Sequence, residues 1–386
     1  MSHTIYFDNA ATTRLNPQVL EAMLPFLTNH FGNPSSTYSI GRTTRMAIET
    51  ARKSVSQLLG VKASAIYFTS GGTESNNTAI SAAIRDLGCT CIITSPIEHH
   101  AVLHTVEYYG QQNKIPVFYV ALKTDGSIDY TSFEQLLMEQ TSQGHKCLVS
   151  LMHANNEIGS LLNIKTVGAL CEQHGAIFHS DCVQTVGHYP LNLSEIGVHF
   201  VSGAGHKFHG PKGVGILYVH PLLKIQPLLY GGGQERSLRA GTENVYGIVG
   251  FAKALELAMG SYESDSQYIA SLKTYLKELL VQAIPRISFN GPEESLYTVL
   301  SVCFPKTKES EDLLFHLDLK GVCVSGGSAC SSGGGSHVMK ALQKTDECIT
   351  IRFSFSKENT KEEIDQLMSI LKSFLITNDV VVESIQ

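Results

Sequence analysis

No stretch of apolar residues in this 386-residue chain approaches the length that crosses a bilayer, so no membrane-spanning helix is expected. The opening residues, MSHTIYFDNAATT, have neither the charged nor the apolar region of a secretory signal, and the expectation is a chain that stays in the cytoplasm. Positive charge is in short supply. Lys and Arg number 29 against 35 Asp and Glu, a net charge of −6, and no basic run or basic–aromatic stripe occurs, which argues against a nucleic-acid surface. Metal-ligand patterns are scarce too. There is no HExxH, and Cys89-Thr-Cys91 is too tightly spaced for a zinc pair and has no second pair to complete it. Internal repeats are absent, and the one low-complexity tract is a glycine–serine stretch near residue 330.

What is present is an ordinary globular composition, 43% apolar and 17% charged, with length for a sizeable core and for a large domain with a smaller partner. Nine cysteines are scattered along the chain. An odd, dispersed set fits a reducing compartment with one reactive thiol. Cys147, Cys303 and Cys348 sit in or beside apolar runs and read as core packing.

From about residue 60 to 260, short apolar runs (AIYFTS, TCIITS, KIPVFYVAL, KCLVSLM, AIFHSD, VHFVSG, VGILYV) alternate with helical patterns such as 73–86. This alternation predicts an α/β domain with a largely parallel sheet. Beyond 260 the pattern changes to a long amphipathic helix (SQYIASLKTYLKELLVQAI), strands near 297–304 and 348–355, and a last helix (TKEEIDQLMSILKSFL). That is the pattern of a smaller α+β domain. In open α/β sheets ligands sit at the carboxyl ends of the strands, so the polar residues after each strand are the candidates.

SGGTES (70–75) follows a strand and opens a helix. Its free backbone N–H groups can hold a phosphate, with Thr73 adding a hydroxyl, or the stretch can be a turn with a helix cap. Asp181 closes the strand in FHSDCVQ, where a carboxylate can pair with a protonated ring nitrogen or cap the next helix. Lys207, between two histidines in GHKFHGPKGVG, is either a desolvated amine able to form a Schiff base or a solvated loop lysine. Lys212 reads as the solvated kind. His99 and His100 can stack on a ring, move a proton or bind metal, but adjacent side chains point apart and disfavour a shared metal. In ITIRFSFS, Arg352 and Ser354 share one strand face and Ile351, Phe353 and Phe355 the other. A buried arginine there suits bidentate capture of a carboxylate, whereas an edge-strand arginine would sit in water. Cys330 lies in SGGSACSSGGGS (325–336), among five glycines and five serines, where a thiol has little to pack against.

Together these are the parts of a pyridoxal-phosphate enzyme that acts on an amino acid, and the motifs resemble one group of them. YFDNAATT, GNPSS, SGGTESNN, EHHAVL, NNEIG, SDCVQTVG, GHKFHGPKGVG, RAGTEN, SGGSACSS and IRFSFS run in order from Tyr6 to about Asp365. In this set and order the chain resembles the cysteine desulfurases of the class V aminotransferases, fold-type I pyridoxal-phosphate enzymes. The resemblance implies a large cofactor-binding domain (14–260) with a mostly parallel seven-stranded sheet, and a small domain made of 1–13 and 261–386. It implies that Lys207 holds the cofactor covalently and that Gly72, Thr73, Gly205 and His206 contact its phosphate, with Thr242 reaching the phosphate in the partner subunit of a homodimer. Asp181 would pair with the ring nitrogen, His99 would stack on the ring and assist catalysis, and Asn156 and Gln184 would bind the ring oxygen. Arg352, with Asn156, would bind the substrate L-cysteine, and Cys330 would take its sulfur as a persulfide and pass it to an acceptor protein. That acceptor could be an iron–sulfur scaffold, a tRNA-thiolation relay or a cofactor-biosynthesis protein. No metal is implied.

A thiol with two destinations needs a mobile tether, which the glycines around Cys330 supply. Two residues depart from the family pattern. Ala204 stands where a serine hydroxyl usually meets the phosphate, and Tyr38 where a histidine is common. The stretch after Cys330 is slightly shorter than in the long-loop branch, but still places the chain there. An aminotransferase would need no mobile thiol. A selenocysteine lyase would use the same parts. A non-catalytic scaffold would not need Lys207, Asp181, Arg352 and Cys330 together.

Overall fold

The computed structural model describes residues 4–306, 310–326, 335–344 and 348–377. Cys330 lies outside these residues. The seven apolar runs between 60 and 260 form the seven strands of one sheet. Across the sheet the order is Ile66–Thr69, Gly215–Val219, Phe200–Ala204, Ile177–Asp181, Cys147–Ser150, Cys91–Thr94 and Val117–Tyr119. Gly215–Val219 runs antiparallel to both neighbours, and the remaining pairings are parallel. The central strands Cys147–Ser150, Ile177–Asp181 and Phe200–Ala204 are buried along their whole length, so they show no alternation of apolar and polar residues, and the polar ones among them, such as His179 and Ser180, are hydrogen-bonded.

Both faces of the sheet are covered. Phe178, Val149, Ile93 and Val201 point into one apolar core with Phe133, Val167 and Phe251, while Leu148, Ile92 and Phe200 meet Ile80, Ala83 and Val102 of helices on the other side. Helices Pro17–Thr28 and Ser39–Leu58, which the strand–helix alternation did not reveal, pack Val19, Met23, Ile48 and Val55 into the first core alongside Ile248, Phe251 and Leu255 of helix Val245–Gly260.

The C-terminal residues build a second core around a three-stranded antiparallel sheet, ordered Cys348–Ser354, Val299–Pro305, Ser288–Asn290. Helix Tyr262–Ala283 contributes Ile269, Leu272, Leu276 and Leu280, and helix Lys361–Thr377 contributes Ile364, Leu367, Met368 and Leu371. The spacing of three or four residues puts each set on one helix face. The N-terminus joins this second core. Ile5–Tyr6 pairs in parallel with Val322–Cys323, and Phe7 packs edge-on against Phe353 and Phe355. The fold is thus the expected α/β domain with a smaller α+β C-terminal domain. None of the helices among the described residues is long and apolar enough to cross a membrane.

One expectation is corrected. Cys303 and Cys348 are buried, but they are bonded to each other as a disulfide across strands Val299–Pro305 and Cys348–Ser354, not packed as separate thiols. Cys147 is a buried thiol, as expected, and it meets the Cys91 sulfur at 3.1 Å.

Candidate active site

Five parallel strands end at one cavity of about 380 Å³. Strand Ile66–Thr69 leads to Gly72 and Thr73. Cys91–Thr94 leads to His99 and His100, Cys147–Ser150 to Met152 and Asn156, Ile177–Asp181 to Asp181, Val183 and Gln184, and Phe200–Ala204 to Ala204, His206 and Lys207. Arg352 enters from the small domain, and Ala10 and Ala11 from the N-terminal segment. Residues far apart in sequence therefore share one wall, because parallel strands deliver their carboxyl ends to the same edge.

Lys207 closes the short helical turn Gly205–Lys207. Its Nζ donates to the carbonyls of Ala10 at 2.6 Å and Ala11 at 2.9 Å, so the amine is held in the cavity by backbone acceptors. Burial, reinforced by Lys207 and Lys212, pushes the neighbouring His206 down to about 4, so its imidazole is neutral at neutral pH.

Asp181 is 5% exposed. One carboxylate oxygen accepts from the Val183 N–H at 2.9 Å and the other from Asn76 Nδ2 at 2.6 Å. The turn that follows it is not helical, so the carboxylate caps no helix. Behind it, the Asn76 oxygen lies 3.1 Å from His179 Nε2, and His179 Nδ1 lies 2.8 Å from the Ser150 hydroxyl. Asn76 must turn its amide nitrogen to the carboxylate, so its oxygen accepts from His179 Nε2–H, and Nδ1 is left to accept from Ser150. Burial pushes His179 down to about 4, in keeping with this neutral tautomer.

Helix Gly72–Arg85 begins without a side-chain cap, and its N-cap Gly71 has φ 152°, a region open to glycine. A Cβ on Gly72 would come within 2.5 Å of Val183, so glycine keeps this end of the cavity open. Thr73 is exposed, and Glu74 turns away to pair with Arg239 and the Ser70 N–H.

His99 caps helix His100–Asn113, its Nδ1 accepting from the Ala101 N–H at 3.1 Å. Desolvation lowers its pKa, opposed by Asp181 and assisted by Lys207. His100 and His104, four residues apart on this helix, bring their rings to 4.8 Å, and His337 lies 4.4 Å from His100. No group of three side chains among the described residues could hold a metal ion. Gln184 donates to the Ala10 carbonyl at 3.1 Å. Arg352 is 2% exposed, not an edge arginine in water, and donates to the Asn156 carbonyl and to Asp8.

The cavity thus brings together Gly72, Thr73, His99, Asn156, Asp181, Gln184, His206, Lys207 and Arg352. Gly205 lies behind it, where a Cβ would press on Phe251 at 3.0 Å. Thr242 lines a separate hollow of about 110 Å³ with Glu235 and Arg239. That hollow is shaped by three consecutive left-handed residues, Glu235, Arg236 and Ser237, a conformation held by the two-pronged contact of buried Glu235 with Arg52. Seven cavity residues have no role assigned from the sequence: Ala10, Ala11, Asn76, Met152, Glu157, Val183 and His337. Asn76 was within reach, since it follows the SGGTES stretch by one residue.

The donor set fits pyridoxal phosphate: an amine, a buried carboxylate, an open helix N-terminus lined by glycine, and a buried arginine around a cavity of cofactor size. The class-V aminotransferase family model matches residues 5–367, and the chain belongs to this family of pyridoxal-phosphate-dependent enzymes. A curated relative, the cysteine desulfurase IscS of Dictyoglomus turgidum, is 42% identical over 385 residues, covering 97% of this chain and 95% of that protein. A solved NifS-like protein superposes with a TM-score of 0.88 at 36% identity, covering 97% of this chain and all of that one. A structure described as SspA in complex with cysteine matches with a TM-score of 0.81 at 30% identity, covering 92% of this chain.

Proposed function

We propose the following division of labour in this cavity; the enzyme is a pyridoxal-phosphate-dependent cysteine desulfurase, and the observation that carries the residue roles is the convergence of Lys207, Asp181 and Arg352 on one buried space. Bound there, the cofactor supplies an electron sink that weakens the carbon–sulfur bond of L-cysteine. Lys207 holds the cofactor covalently. Asp181, held in place by Asn76 and the Val183 N–H, faces the ring nitrogen, and His99 lies against the ring face. Asn156 and Gln184 serve the ring oxygen. Gly72, Thr73 and His206, with Gly205 shaping the turn, hold the phosphate, and Thr242 of a second copy in a homodimer completes that cradle.

Arg352 binds the carboxylate of L-cysteine beside Asn156. The thiolate of Cys330 then attacks the substrate sulfur. The carbon–sulfur bond breaks with its electron pair left on carbon, which takes up a proton and leaves as L-alanine. The sulfur stays as a persulfide on Cys330, to be passed to an acceptor protein of the iron–sulfur assembly or sulfur-relay kind.

The test is Cys330→Ala in the holoenzyme. The cofactor absorption band and L-cysteine binding are expected to persist while persulfide formation is lost. Sulfide release with reductant at the wild-type rate would assign the nucleophile to another cysteine.

A further inference from the structure

The main chain of Lys207 is held by a residue that does not line the cavity. His188 Nε2 lies 3.0 Å from the Lys207 carbonyl oxygen. A carbonyl only accepts, so Nε2 carries the proton and Nδ1 is the lone-pair nitrogen. Burial drives His188 down to about 4, which keeps the ring in this neutral form. The contact is built closely. Gly187, at φ 81°, lies so near Phe208 that a Cβ there would come within 2.4 Å of the ring, so the turn carrying His188 rests directly on the residue after Lys207.

His188 is itself gripped from the small domain. The Tyr297 hydroxyl donates to the His188 carbonyl at 2.8 Å and sits 3.4 Å from its Nδ1. Tyr297 lies two residues before strand Val299–Pro305, and the adjoining Leu296 is fixed twice, its N–H donating to the Gly159 carbonyl at 2.7 Å and its carbonyl accepting from Lys273 of helix Tyr262–Ala283 at 2.9 Å. Three hydrogen bonds, joined through the Leu296–Tyr297 chain and through His188 itself, therefore link a small-domain helix to the main chain of Lys207.

We propose that His188 is a positioning residue for Lys207, and that Tyr297 transmits the placement of the small domain, which also carries Arg352, to that lysine. The inference rests on Lys207 being the residue that holds the cofactor. A long, flexible lysine side chain is aimed by its backbone, and an error of about 1 Å at a reacting group can cost on the order of a hundredfold in rate.

The experiment compares His188→Gln with His188→Asn in the holoenzyme, with Tyr297→Phe and Lys207→Ala alongside. A glutamine amide nitrogen reaches the place of Nε2, and an asparagine amide stops at the place of Nδ1. The Gln variant is expected to retain most of kcat and the wild-type pH midpoint of the cofactor absorption band. The Asn variant is expected to lose about ten- to a hundredfold in kcat with KM for L-cysteine little changed, and to shift the midpoint. Tyr297→Phe is expected to move both quantities in the same direction by less. Gln and Asn variants that match each other in kcat and midpoint, both normal or both impaired, would overturn the proposal. If the Asn variant does not fold, a wild-type kcat and midpoint for Tyr297→Phe would overturn it instead. Lys207→Ala separates the two readings: loss of the covalent cofactor band supports the role of Lys207 on its own, and its persistence would sink that role, whatever the His188 variants do.

Discussion

Arg352 reaches Asp8 through Nη2 at 2.7 Å and the Asn156 carbonyl through Nη1 at 2.8 Å, while its buried Nε has no hydrogen-bond partner among the described residues. The guanidinium is thus fixed in plane by two contacts, one to the N-terminal segment and one to the large domain, and the residue lines the cavity. A planar guanidinium fork suits a carboxylate, which the point charge of lysine does not match. Arg352→Lys is expected to raise the KM for L-cysteine roughly ten- to a hundredfold, equivalent to about 1.5–3 kcal/mol for a charge-assisted hydrogen bond. Steady-state kinetics decide it, and an unchanged KM would place Arg352 away from the substrate.

Ala204 ends its strand at the cavity, is 1% exposed, and its Cβ lies 3.9 Å from where a Cβ on Gly72 would stand. A hydroxyl there would face the N-terminus of helix Gly72–Arg85. Ala204→Ser is expected to tighten non-covalent binding of pyridoxal phosphate in a Lys207→Ala background, where no covalent link masks affinity. A full hydrogen bond to a charged group is worth about 1.5–3 kcal/mol, of which a bridging water in the parent recovers part. Equal or weaker binding by dialysis would show that the phosphate has its full set of donors without this hydroxyl.

Buried histidines make stability depend on pH. His153, 8% exposed and 2.9 Å from the Thr185 hydroxyl, is pushed by burial from 6.5 to about 4. Between those values the unfolded chain binds the proton and the folded chain does not, so stability falls as the pH drops from about 6.5 towards 4. His153→Asn, which keeps a polar group near Nδ1 and cannot titrate, is expected to flatten this fall by about 2–3 kcal/mol. Denaturant melts at several pH values measure it, and an unchanged slope would mean that His153 is not protonated on unfolding in this range.

The Cys303–Cys348 bridge ties the strand that carries Arg352 to its neighbour. Thiol titration of the unfolded chain is expected to find two fewer groups before reduction than after it. Cys303→Ser is expected to lower stability by about 2–4 kcal/mol under oxidising conditions. An equal thiol count before and after reduction would show that the two cysteines stand reduced.

Much of this was legible locally. A parallel strand buried on both faces must be a short apolar run, and each of the seven runs named from the sequence is a strand of the large sheet. Arg352 could be assigned to a face by counting along ITIRFSFS, since side chains alternate in a strand. The two helices at 17–28 and 39–58 were missed because the first buries only Val19 and Met23 and carries Pro25 inside it, and the second buries its apolar residues among Thr, Ser, Gly and Arg. They are helices whose packing partner, Val245–Gly260, lies two hundred residues away. His337 escaped for a related reason: nothing beside it in the chain hints at the His100 imidazole it meets.

The kinds of chemistry available, namely one amine, one strand-end carboxylate, one strand-borne arginine and one glycine-tethered thiol, can be read along the chain, because they depend on residue type and local backbone preference. Which groups meet depends on the folded arrangement. Hydrogen bonds form over about 3 Å and chain neighbours supply few of them, so the contacts of Arg352 with Asp8, Asn76 with Asp181 and His188 with Lys207 exist only once the sheet has brought its strand ends together and the small domain has closed against them.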